Sequence, residues 1–295
     1  MTDPTLTLSD GRTLAYYEFG DPSGLPCIFT TGVPAAGALG ETWDKSAKLA
    51  GVRWVSIDKP GYGRSSFDPK RSLQRYTDDI RQLADNLGFE RFAAVGESGG
   101  GPHALALGRY LPNRITTIVS LSGMANAHDS WTRKGVDFQP RLLFSLGRYA
   151  PWLLRPLLAK EARAWTDPQL FQARVAKLMK DAKPEEHAVL KERPELLGIA
   201  QRGLSGAYTQ GTRAAAQEFK LLTSPLEFRL QDVTVPTHLW HGTADRNVPI
   251  TVAKDVARSV PNVTTHWVEG GGHGVSSDRE AEILDVIRAA AAVMP

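Results

Sequence analysis

Six short apolar runs, separated by stretches of helical periodicity, constrain this chain more than any other feature. They are "PCIFTTG", "GVRWVSID", "RFAAVGES" and "RITTIVSLSG" and, much later, "PTHLWHG" and "TTHWVEGGG". A strand that is apolar throughout, rather than at alternate positions, suits a sheet covered on both faces. Between several of these runs lie amphipathic helices. "SLQRYTDDIRQLADNLG" sets Leu73, Tyr76, Ile80, Leu83 and Leu87 on one stripe, and "GGPHALALGRYLP" and "DREAEILDVIRAAAAVM" follow the same pattern. Such alternation predicts an α/β fold with a mostly parallel sheet flanked by helices. Ahead of it, "TLTLSDGRTLAYYEFG" alternates and turns at Asp10-Gly11, the signal of a hairpin.

The alternation stops between about Met124 and Gln231. That stretch has helical patterns and no strand, and it carries Trp131, Phe138, Phe144, Tyr149, Trp152, Trp165 and Phe171. Additional core helices would give the same pattern. The return of a strand at Thr237 favours an insertion. The expected division is therefore a core of 1–123 and 232–295 with an α-helical cap, or lid, of 124–231 over one end of the sheet. From 129 to 183 eleven basic residues stand against five acidic ones. A solvated helix face accounts for them, and an attraction for an anionic substrate is the sharper alternative.

A length of 295 residues with 42% hydrophobic content suffices for one large domain, or for a domain with such an insertion. The net charge is +3 without a basic block, so no nucleic-acid partner is expected. Cys27, the one cysteine, lies in an apolar run and reads as buried and inert. "MTDPTLTLSD" does not have the form of a secretory signal, and no apolar run nears the roughly 20 residues that cross a bilayer. The expectation is a cytoplasmic protein with a small-molecule substrate and no membrane partner; oligomeric state is not legible.

One short stretch bears on chemistry. Gly96-Glu97-Ser98-Gly99-Gly100 ends an apolar strand and opens a helix. In an open α/β sheet ligands bind beyond the carboxyl ends of the strands. A sharp turn there strains the serine backbone and presents its hydroxyl, and the residues two before and two after must be small. Gly96 and Gly100 satisfy that requirement, which is the logic of the G-x-S-x-G nucleophile elbow. Pro102, in the first helical turn, sacrifices an amide that has no partner there.

A serine hydroxyl needs a base, and the base needs an orienting acid. "WHGTADRNVP" offers Asp245 just after one strand, and "VEGGGHG" offers His273 just after the next. Their separation of 28 residues has room for one helix and one strand, which sets both on the sheet edge of Ser98. Gly270 to Gly272 let the histidine loop reach inward. Asn126 and Asp129, after the strand ending near Ser122, offer a second acid position. The oxyanion formed on attack needs waiting N–H donors. Gly99, at the positive end of the following helix, is one candidate; Val33, in the loop after "PCIFT", is the other by position.

With "TTGVPAAG", "DKPGYGRSS", "GESGGG", "HGTADRNVP" and "GGGHG" in this order, the chain resembles the α/β-hydrolase superfamily over almost everything outside the insertion. The resemblance implies an eight-stranded serine-hydrolase core with a helical cap between the sixth and seventh strands, and Val33 and Gly99 as oxyanion donors. Two departures stand out. Thr31-Gly32-Val33-Pro34 replaces the His-Gly-x-Pro of many members, and "GESGGGP" replaces the commoner G-x-S-M-G-G.

"DKPGYGRSS" lacks the third glycine of a dinucleotide fingerprint and the lysine of a phosphate loop, so it is assigned no catalysis. His238 and His241, three apart on a strand, face opposite ways and cannot share a metal. His103 reads as packed or capping, and His128 and His187 as surface residues. No cofactor is expected. The favoured function is hydrolysis of a carboxylic ester or related acyl bond of a small to medium, largely apolar substrate through an acyl-enzyme. Carbon–carbon bond hydrolysis of a β-diketone type, a lyase or cyclase, and a ligand receptor are the alternatives on the same fold.

Overall fold

The structure, a computed structural model, describes residues 4–125, 134–181 and 191–292. Eight strands form one sheet in the order β1-β2-β4-β3-β5-β6-β7-β8. They are β1 (Thr5–Thr7), β2 (Thr13–Gly20), β3 (Leu25–Thr30), β4 (Val52–Ile57), β5 (Phe92–Glu97), β6 (Ile115–Leu121), β7 (Thr237–Gly242) and β8 (Val263–Val268). The hairpin β1–β2 and the β2–β4 pair are antiparallel; every other pairing is parallel. The hairpin turns where Asp10-Gly11 predicts, with Gly11 at φ 83, a region that suits glycine.

The strands are apolar throughout because each face has its own core. Ile28, Val55, Ile57 and Ala94 lie in one cluster with α2 (Leu73–Asn86) and α3 (Gly101–Tyr110). Cys27, Phe29, Trp54, Ala93 and Val95 point to the other, against α1 (Asp44–Leu49) and α10 (Glu280–Ala292). Cys27 is fully buried there, and burial pushes its thiol well above the usual range. On α2, Leu73, Tyr76, Ile80 and Leu83 are buried as their stripe predicts, and Ser72 caps the helix by accepting from the Arg75 amide at 3.0 Å. Strand β8 departs from the two-face expectation. It is an edge strand, and Thr264, Thr265 and Trp267 are exposed.

The described residues between β6 and β7 contain five α-helices: α4 (Phe138–Tyr149), α5 (Pro151–Thr166), α6 (Pro168–Asp181), α7 (Glu195–Gly206) and α8 (Arg213–Leu222). Helix α9 (Ile250–Ser259) lies between β7 and β8. Helix α7 runs close to the turn 37–43: a Cβ on Gly203 would stand 2.7 Å from that of Leu39. Helix α8 buries Ala214, Ala215, Phe219 and Leu222. The aromatic content of this segment divides. Phe144 packs on Phe219, and Trp165 and Phe171 line a cavity of about 460 Å³ with Arg174 over the Trp165 ring. Phe138, Tyr149 and Trp152 are 81%, 65% and 67% exposed. Their helical positions lie off the buried stripe, so aromatic content alone does not make this segment an apolar pocket. Trp131, His128, His187, Asn126 and Asp129 lie outside the described residues.

Candidate active site

Five parallel strands, β3 and β5 to β8, end at one edge of the sheet, and the residues singled out in the sequence follow those ends. Ser98 comes directly after β5 at φ 50, a left-handed conformation that L-residues other than glycine rarely adopt. The turn is tight enough to explain its glycines. A Cβ on Gly96 would lie 2.3 Å from the Gly100 carbonyl oxygen, and one on Gly100 would lie 2.1 Å from that of Thr30. Helix α3 begins three residues after the serine.

Asp245 follows β7 and His273 follows β8, and the two meet: the His273 Nδ1–Asp245 Oδ2 distance is 2.8 Å. The Asp245 carboxylate is buried, and its Oδ1 accepts from the amides of Asn247 at 2.8 Å and Val248 at 3.0 Å. Burial alone raises such a carboxyl. The His273 hydrogen bond and charge and the two amides outweigh it, and the group is held below the ordinary carboxylate range. The glycine loop before His273 crosses the end of β7 so closely that a Cβ on Gly242 would stand 2.2 Å from the Gly271 oxygen. Beyond it, Ser122, itself at φ 46, donates its hydroxyl to the His273 carbonyl at 2.7 Å. His241 is buried beside Asp245, 3.5 Å from Oδ2 and bonded to the Val248 carbonyl at 2.7 Å. Burial pushes its pKa down, against the pull of the Val248 carbonyl and Asp245. His238 pairs instead with His266 at 3.0 Å.

The loop after β3 closes the other side. A Cβ on Gly32 would lie 3.2 Å from the Ser98 Cβ, and one on Gly99 would meet Val33 Cγ1 at 2.8 Å. Val33 and Gly99 are therefore neighbours beside the serine. Among the described residues the Val33 N–H has no hydrogen-bond partner. Thr31 donates its hydroxyl to the Ala35 carbonyl at 2.7 Å and ties the loop upon itself. Glu97, adjacent to Ser98, is pushed upward by burial against the pull of His273 and Ser276.

Sequence reasoning missed what lies beneath this loop. Lys59 and Glu218 are both 0% exposed and 2.7 Å apart, and Arg71 approaches the same carboxylate oxygen at 3.2 Å. Tyr62 donates its hydroxyl to the other oxygen. One signal was present: Glu218 sits in the apolar stripe of α8 between Ala214, Ala215 and Leu222, where an unpaired charge is too costly to bury. His103 bonds the Gly99 carbonyl through Nδ1 at 3.0 Å, and burial pushes it down to about 3, so it stays neutral and packed.

A sequence model described as "Alpha/beta hydrolase family" matches residues 32–286. A Caulobacter vibrioides protein named "Putative carbamate hydrolase RutD" is 26% identical over 84% of this chain and 82% of its own length. A "Non-heme chloroperoxidase CPO-A1" of Kitasatospora aureofaciens is 24% identical over 92% of this chain and 93% of its own. Among solved structures, an esterase from Exiguobacterium antarcticum superposes with a TM-score of 0.67 at 16% identity, covering 98% of each chain.

Proposed function

The chain belongs to the alpha/beta hydrolase family, and from that premise we propose that it cleaves a carboxylic ester or related acyl bond through an acyl-enzyme on Ser98. The observation that supports this most is the convergence of a strained serine at φ 50 with a bonded His273–Asp245 pair at one sheet edge. In this reading His273 takes the Ser98 proton through Nε2, the nitrogen opposite its Asp245 bond, as the hydroxyl adds to the carbonyl carbon. The oxyanion is held by the N–H groups of Val33 and Gly99. Collapse of the tetrahedral intermediate passes the proton from His273 to the leaving group. Water, deprotonated by His273, then adds to the acyl-enzyme and releases the acid and the free serine.

The segment 124–231 acts as the cap. Val33 and Leu222 flank Gly99 with apolar side chains: a Cβ on that glycine would meet them at 2.8 and 3.0 Å. That lining favours a small to medium, largely apolar acyl group. The carbamate in the name of the Caulobacter relative is an acyl carbon open to the same addition. Initial rates on p-nitrophenyl esters of increasing acyl length test the reading. Turnover with a length optimum, lost in Ser98→Ala, is expected; turnover that survives in Ser98→Ala overturns it.

A further inference from the structure

The Lys59 ammonium has three oxygens around it: Thr31 O at 2.9 Å, Gly32 O at 2.7 Å and Glu218 Oε1 at 2.7 Å. The two carbonyl oxygens accept hydrogen bonds from it, and the Glu218 oxygen stands beside it as an ion-pair partner. Two of these oxygens belong to the loop that carries Val33. The Gly32 carbonyl and the Val33 N–H are two ends of one peptide unit, and in a trans peptide they point in opposite directions. A cation fixed on the carbonyl end therefore sets the plane of that peptide and turns its N–H away from Lys59. The charge also draws electron density toward the oxygen and leaves the N–H a stronger donor, as in any polarised hydrogen-bond chain.

We propose that Lys59 is the positioning residue of the oxyanion hole: its ammonium clamps and polarises the Gly32–Val33 peptide, and Glu218 of helix α8 keeps that ammonium charged. The proposal rests on the reading of Val33 N–H as an oxyanion donor. Helix α8 lies beyond the serine strand in sequence and packs over Gly99 through Leu222. The Lys59–Glu218 pair thus joins that helix to the oxyanion loop. The counter-ion has a clear physical task. Burial drives the lysine down to about 8, against the pull of Glu218, and Arg71 adds to the depression. The charged or titratable groups facing Lys59 are Glu218 from α8, Arg71 and Tyr62 from the loops after β4, and His103 from α3.

The test compares two inhibitors of one shape: an alkyl trifluoromethyl ketone, which forms a tetrahedral oxyanion with an active-site serine, and the corresponding trifluoromethyl alcohol, which forms none. In Lys59→Met the ketone should bind at least about tenfold more weakly, within the range set by loss of an oxyanion donor, while the alcohol changes by less than about twofold. Lys59→Arg keeps the charge and should recover part of the ketone affinity. Glu218→Gln should move the alkaline loss of ketone affinity to lower pH. If Lys59→Met does not fold, Glu218→Gln and the pH profile of the wild type carry the comparison. Parallel weakening of both ligands, or no change in either, overturns the positioning role. A wild type that binds the ketone no more tightly than the alcohol overturns the serine reading itself, a distinct result.

Discussion

Two buried carboxylates, Asp245 and Glu218, reach the same electrostatic state by opposite routes. Asp245 is held by its own loop, through the amides two and three residues further on, with His273 bonded to its other oxygen and His241 3.5 Å from it. Glu218 has no such local support. Its partners Lys59, Arg71 and Tyr62 come from the first third of the chain, 156 residues away in the case of Tyr62. Both carboxyls are held below their ordinary range although burial opposes it. A locally built charge site survives small shifts of its surroundings. A site built across the fold reports on whether two elements, here α8 and the loop after β4, are seated together.

The contrast predicts a hierarchy of effects. The largest belongs to the local site. Asp245→Asn should lower kcat by about 10⁴ with the fold retained, because the amide leaves the histidine in the wrong tautomer. Glu218→Gln should lower it by roughly tenfold, since it weakens one donor rather than removing a proton acceptor. Steady-state kinetics on a p-nitrophenyl ester compares them directly, and equal losses would break the distinction.

Next comes the elbow. Gly100→Ala forces a Cβ to 2.1 Å from the Thr30 carbonyl oxygen. It should destabilise the protein by about 3 kcal/mol or more, read as a lowered urea midpoint.

The third prediction separates activity from stability. Lys59 in the folded protein titrates at about 8, below the ordinary lysine value. A lysine lowered in this way costs stability in its charged form. That cost is fully present below about 8 and is relieved as pH rises toward roughly 10.4, the unfolded value. Above pH 8 activity should therefore fall while this group gives no loss of stability. Rates and thermal melts over pH 7–10 check it, and melting that tracks the activity loss would contradict it. The smallest effect marks the baseline: Arg81→Ala, which breaks an exposed pair with Asp85 at 3.4 Å, should change stability by less than about 0.5 kcal/mol in the same melts.

The same contrast explains what was legible in the sequence. The order and type of the strands could be read because a two-faced core needs continuous apolar runs. Cys27 and Ile28 fall on opposite faces by period alone. Ser98, Asp245 and His273 could be placed at one edge because parallel strands end together and the glycines around them mark close approaches. The Lys59–Glu218 pair was hidden because no periodicity links residues so far apart. "DKPGYGRSS", to which the sequence assigns no catalysis, has a structural part that no motif shows: Asp58 accepts the Gly37 and Arg64 amides and Lys59 grips the loop beside the serine. Composition gives no orientation to the aromatic residues of 138–171, and three of them face solvent.

In the proposed reaction an acyl group passes through Ser98. Rapid acid quench of the protein during turnover of a slow p-nitrophenyl ester, followed by peptide mass spectrometry, tests it most directly. One added acyl mass is expected on the peptide that contains Ser98, and none in Ser98→Ala. Steady turnover with no acyl mass on that peptide, or a mass located on another residue, would contradict it.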